Sequence, residues 1–149
     1  MKTILLLLLI LLNTSQVWAS INMEALKMAE SEGDTFAESN DGFGSKGHYQ
    51  ITPPVLADYN HFHKTNLQDI DLYDSLVSLT VADWYLGWLW ERLPEQFRTD
   101  RNVLIAWNWG IGNWRKWAKT GMKADDLPKA TKGLLTRYGG YLSKKGGKS

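Results

Sequence analysis

The stretch from Asp71 to Leu93 constrains this chain most. It is the longest run with helical periodicity, carrying Leu72, Leu76, Leu79, Ala82, Leu86 and Leu89 at the spacings of three and four that build one helix face. Pro94 ends it, because proline lacks the amide hydrogen a continuing helix needs. The rest of the chain adds shorter helical runs. Asn22 reads as the N-cap of a helix whose apolar side is Ala25, Leu26, Met28 and Ala29, running to about Ser31. Gly33, Gly42, Gly44 and Gly47 then break the periodicity, and "GHYQIT" reads as a short extended piece or a small hairpin. Pro53 and Pro54 suit the first turn of a helix through about His61. Asp100 is read as the cap of a helix containing Val103, Leu104, Ala106 and Trp107, interrupted by Gly110 and Gly112. Asn113 is read as the cap of a further short helix through Lys119. Leu127, Pro128, Leu134 and Leu135 mark a last helix to about Tyr141, weakened by Gly133, Gly139 and Gly140. The expected fold is mainly α and compact, with one glycine-rich polar loop.

The first residues predict a secretory leader. A positive start at Lys2 precedes the unbroken apolar run Ile4 to Leu12, and Val17 and Ala19 place small residues where a signal peptidase reads. Cleavage is expected between Ala19 and Ser20, leaving residues 20–149 as a single domain in the periplasm or outside the cell. The apolar run is about half the ~20 residues a spanning helix needs, and no other stretch is long and apolar enough, so no stable membrane insertion is expected after cleavage. Once Lys2 departs, basic and acidic residues balance, which gives no support for a nucleic-acid partner. The basic C-terminal "KKGGKS" reads as a solvated end.

Cysteine is absent, so an exported domain of this size must be held by its core alone. A thiol nucleophile and a thiolate metal site are excluded. The histidines are His48, His61 and His63, and the last two, at i and i+2, point to different faces of a helix. No structural zinc and no cofactor are expected, and the domain is expected to be a monomer.

Two features bear on chemistry. Trp84 and Trp88, at i and i+4, are expected to pack in the core. "AWNWGIGNW" differs, because its tryptophans alternate with glycines and asparagines. An apolar plate beside amide groups suits a sugar ring, which has an apolar face and a rim of hydroxyls. Glu30 follows Met28 and Ala29 at the inward end of its helix, where partial desolvation would raise its pKa and let it deliver a proton near neutral pH. Glu32 and Asp34, among glycine and serine, are expected to stay solvated.

Four segments in order, "AESEGD", "SNDGFGSKGHYQITP", "LIAWNWGIGNW" and "LPKATKGLLTRY", resemble the soluble lytic transglycosylases, the lysozyme-like domain that cleaves peptidoglycan. "DIDLYDSLVSLTVADWYLGWLWERL" resembles that family's middle helix, with Tyr85-Leu86 where it carries Tyr-Leu. The resemblance covers about Asn22 to Tyr141 and implies a lysozyme-like fold with a substrate groove. It implies that Glu30 is the catalytic acid, with Ser31 beside it to orient acid or substrate. Gln50 matches a groove-lining glutamine, with Tyr49 where the family has Met. Trp107 and Asn108 match a Tyr-Asn pair, and Thr131 the threonine of the closing motif. Trp109 stands where Ala is usual, and Ala130 replaces a Glu. Leu134 stands where a tyrosine near the acid is common, and Tyr138, one helical turn later, is its candidate replacement in the substrate site.

The implied reaction cleaves the β-1,4 bond between N-acetylmuramic acid and N-acetylglucosamine in glycan strands and leaves a 1,6-anhydro sugar. A lysozyme-type hydrolase, with Asp34 or Asp41 holding a water, is the first rival reading. A non-catalytic wall-binding domain is the second. A secretion or pilus apparatus is a candidate partner, beside wall turnover or a phage role.

Overall fold

The computed structural model describes residues 20–40 and 42–146. The leader expected at 1–19, Asp41 and the last three residues lie outside the described residues. The described chain is mainly helical, as the periodicity required: α1 (Met23–Ser31), α2 (Pro53–His63), α3 (Ser75–Arg92), α4 (Asp100–Trp109), α5 (Ile111–Lys119) and α6 (Lys129–Gly146), with short 3-10 turns at Asp69–Tyr73, Glu95–Phe97 and Ala124–Asp126. Among the described residues no helix is long and apolar enough to cross a membrane.

The core is organised around α4. Val103, Leu104, Ile105 and Ala106 are all buried, so this helix is apolar around most of its circumference. It packs against α3, α5 and α6. Asn102, a buried polar residue on the same helix, is satisfied by donating to the Phe97 carbonyl at 2.9 Å and accepting from the Trp114 indole at 3.4 Å. Among the described residues, Trp114 and Trp117 are the buried tryptophans. Trp84 and Trp88, expected in the core, are only half-buried and line a surface cleft. Their i, i+4 spacing does make one face of α3, but α2 covers that face only in part.

Several helix ends differ from the sequence reading. The run Asp71–Leu93 is broken at Asp74, whose carboxylate accepts from the amides of Leu76 and Val77 and so starts α3 there. Leu76 is consequently 70% exposed in the first turn. Thr99, not Asp100, caps α4, its hydroxyl accepting from the Asn102 amide. Asn113 lies inside α5, which begins directly after Gly110. Gly112 does not interrupt α5, and α6 runs through Gly133, Gly139 and Gly140 and on past Tyr141 to Gly146. The hairpin at "GHYQIT" reduces to an isolated antiparallel bridge between Lys46 and Ile51, with a second between Glu38 and Lys46.

Asn22 does cap α1, accepting from the Ala25 amide at 2.9 Å. Helix α6 then clasps α1 from the side. The Tyr138 hydroxyl accepts from the Asn22 amide at 2.8 Å, and the Arg137 guanidinium donates to the Ala29 carbonyl at 2.7 Å. These bonds satisfy backbone groups that a nine-residue helix leaves unpaired at its ends. They also fix the point where α1 stops, one residue beyond Glu30.

Candidate active site

Glu30 sits in the last turn of α1. The chain leaves the helix at Glu32 in a left-handed conformation (φ 55°) and enters the glycine loop. Ser31 ties that loop to the helix end: its hydroxyl lies 2.8 Å from the His48 carbonyl and 3.2 Å from the Lys27 carbonyl, and it accepts from the Gly33 amide. The loop folds back on Gln50, a non-glycine residue at φ 50°. The Gln50 side chain is locked in place, donating to the carbonyls of Ala37 and Gly47 at 3.0 Å each. The amide of a groove-lining residue is thereby held without help from substrate.

The third wall comes from α4. Trp107 donates its indole N–H to Oε1 of Glu30 at 2.7 Å, across 77 residues of sequence. Tyr85 of α3 backs the indole, with ring centroids 5.5 Å apart. Asn108 is exposed at the end of α4, and its amide oxygen accepts from the Thr131 hydroxyl at 2.7 Å. Gly110, at φ 88°, ends α4 just beyond it.

Burial dominates the electrostatics. Loss of solvent around the carboxyl pushes Glu30 up to about 7 from its ordinary 4.5. The Trp107 hydrogen bond and the Arg137 charge oppose that rise, since each favours the carboxylate. The result is an acid close to half-protonated near neutrality, the condition general acid catalysis needs. Trp107→Phe removes an opposing interaction and is therefore expected to raise the Glu30 pKa. The alkaline limb of a pH–rate profile would move up by about one pH unit, the worth of a hydrogen bond to a charged group. An unmoved limb would mean that the indole only packs.

Two cavities that share Gln50 lie at this site. One, about 660 Å³, is lined by Glu30, Ser31, Asp34, Ala37, Glu38 and Gln50. The other, about 190 Å³, is lined by Gln50, Thr52, Tyr85, Trp107, Asn108 and Trp109. Gln50 belongs to both walls, so the groove runs past it along the acid.

The structure brings together Glu30, Ser31, Gln50, Trp107 and Asn108 on this groove. It does not bring Tyr49, Thr131 or Tyr138 there. Tyr49 is 4% exposed and packs in the core. Thr131 is fully buried behind Asn108, where it holds that side chain. Tyr138 faces Asn22 at the opposite end of α1, beside a separate cavity with Asp100 and Leu135. It does not stand in for a tyrosine at the acid. Arg137 and the role of Tyr85 escape sequence reasoning, because contacts made across the fold leave no local pattern: Arg137 lies within the closing segment "LPKATKGLLTRY", but nothing in that segment points to Ala29 or Glu30.

A mainly helical, lysozyme-like domain with one sheltered carboxyl on an open groove is the class these features define. A family model described as the transglycosylase SLT domain matches residues 13–128, and the chain belongs to that family. Helix α6 lies beyond the matched residues. No curated protein matches the sequence. In fold the chain is similar to the 70 kDa soluble lytic transglycosylase SLT70 from Escherichia coli, with a TM-score of 0.65 and 19% identity. The match covers 83% of this chain but only 22% of that one.

Proposed function

We propose that this domain is a peptidoglycan lytic transglycosylase in which Glu30 acts first as acid and then as base. The observation that carries the reading is the sheltered Glu30 carboxyl, raised to about 7 and held by Trp107 on a groove open on both sides of Gln50. Protonated Glu30 donates to the glycosidic oxygen as the C1–O bond breaks. The 2-acetamido carbonyl of the substrate stabilises the oxocarbenium-like carbon, so no second protein carboxylate is required. Glu30, now ionised, takes the proton of the 6-hydroxyl, whose oxygen closes on C1. One sugar–sugar bond is exchanged for an internal 1,6-anhydro bond, and water is not consumed. Tyr85, Trp107 and Trp109 offer apolar surface to sugar rings, while Asn108 and Gln50 offer amides to the acetamido group and hydroxyls. Because the substrate lies outside the cytoplasm, this reading agrees with the leader inferred at residues 1–19.

Hydrolysis is the competing outcome, and one feature favours it: exposed Asp34 lines the same cavity as Glu30. Mass spectrometry of sacculus digests separates the two. Fragments ending in anhydromuramic acid are expected; reducing muramic acid ends would make the domain a lysozyme-type hydrolase, with Asp34→Asn then expected to abolish turnover.

A further inference from the structure

A cavity of about 780 Å³, larger than either of those beside Glu30, lies between the end of α2 and the middle of α3. Its floor and walls are aromatic: Tyr59, Phe62, Trp84 and Trp88. Its rim is polar, with Thr80, Asp83 and Glu91. Phe62 is 55% exposed, an unusual state for a large apolar side chain facing a concave surface. Not every ring is open. The Arg92 guanidinium covers the Trp88 ring at 3.5 Å, and the His63 imidazole stacks on Tyr59 at 4.2 Å. Trp84 sits at the centre of the cleft, with Phe62 tilted against it at 5.6 Å and Tyr59 and His63 meeting it edge-on at 5.4 and 5.5 Å.

This cleft is joined to the Glu30 groove by an unbroken row of rings. Trp107, bonded to Glu30, touches Tyr85 at 5.5 Å; Tyr85 stacks on Trp88 at 5.6 Å and meets Trp84 at 6.2 Å. The two sites are therefore close neighbours, separated by the half-buried Tyr85. The chemistry of the cleft fits sugar rings, whose C–H faces rest on aromatic plates while their hydroxyl and amide hydrogens reach acceptors. Asp83 and Glu91 are such acceptors, and Arg92, which lines the same cleft, is a donor beside them.

We propose that the α2–α3 cleft is a second glycan-binding site, which holds N-acetylated sugars of the wall at a distance from the bond cut at Glu30. The identity of the polymer rests on the function proposed above; the site itself rests on the cleft. Retention on the wall between cuts would follow from two linked sites on one polymer.

The test uses the full chain carrying Glu30→Gln, which binds without turnover, pelleted with intact sacculi and with glycan strands stripped of peptide by an amidase. Phe62→Ala and Trp84→Ala are each expected to raise the half-saturating glycan concentration about tenfold on both materials, the worth of one ring contact. Phe62 is exposed enough that its truncation leaves the fold standing, which thermal melting would verify. Parent-like binding by Phe62→Ala overturns the proposal. Weakening only on peptide-bearing sacculi overturns it also, by assigning the cleft to peptide arms. If the unsubstituted chain never cleaves glycan, yet Phe62→Ala still weakens binding to stripped strands, the catalytic reading fails and the cleft stands.

Discussion

Glu30→Gln is expected to abolish release of soluble fragments from sacculi, with a loss of at least about 10²–10⁴-fold, since the amide cannot supply or accept the transferred proton. The same substitution is expected to stabilise the fold above neutral pH. In the folded chain the carboxyl titrates near 7, against 4.5 for the ordinary group. Below about pH 4.5 both folded and unfolded states hold the proton, and the group costs nothing. Between the two values the unfolded state loses its proton first, so stability declines as pH rises. Above about 7 the folded chain carries a desolvated carboxylate, at a cost of roughly 3 kcal/mol. Glutamine never ionises, and its amide oxygen can still accept from the Trp107 indole. Melting curves at pH 4 and pH 8 check this: the variant should match the parent at the lower pH and exceed it at the higher. A variant less stable at both would mean that Glu30 is a structural residue rather than a strained functional one. Activity of the parent should correspondingly fall as pH rises through about 7, as the acid form disappears.

Gly47→Ala is the second large effect. Gly47 has φ +74°, and a Cβ added there would stand 2.2 Å from the Leu72 carbonyl oxygen and 3.1 Å from its carbon. Both the backbone conformation and the space exclude a side chain. The left-handed conformation alone costs about 1–2 kcal/mol for an L-residue, and the clash with a backbone carbonyl adds about 1–3 kcal/mol. The obstacle cannot rotate away, because Leu72 is itself buried in the 3-10 turn before α3. The consequence reaches the site. The Gly47 amide donates to Ala37 at 2.9 Å, and the Gly47 carbonyl accepts from the Gln50 side chain. A lowered melting temperature together with slower sacculus turnover is the expected result. A variant that melts like the parent would show that the loop can move off Leu72. Gly42 is the control within the same loop, since a Cβ there would meet nothing within 4 Å, although its φ of +82° still carries the conformational cost.

Legibility in the sequence followed the range of the interactions involved. The helix at Asn22–Ser31 was readable because its cap and apolar face are local, and Pro53 and Pro54 marked the start of α2 for the same reason. The break at Asp74 leaves no mark in the apolar spacing, which continues through it, while one carboxylate accepting two amides outweighs that spacing. The family pattern puts Tyr49 on the groove, and Tyr138 stands one turn after Leu134, the position where that pattern has a tyrosine; the structure turns the first into the core and the second toward Asn22. Thr131 kept a connection to the site, but through Asn108 rather than through substrate.

The sequence by itself determined a mainly helical domain held without disulfides, the position of an acid at the end of its first helix, and a glycine loop able to return over it. Only the tertiary structure decided that the acid is sheltered, that Trp107 is its partner and that α6 braces its helix. Helix and turn preferences act over a few residues and leave a mark in spacing. Desolvation and hydrogen bonds between residues 77 and 108 positions apart arise only once the core has brought those helices together.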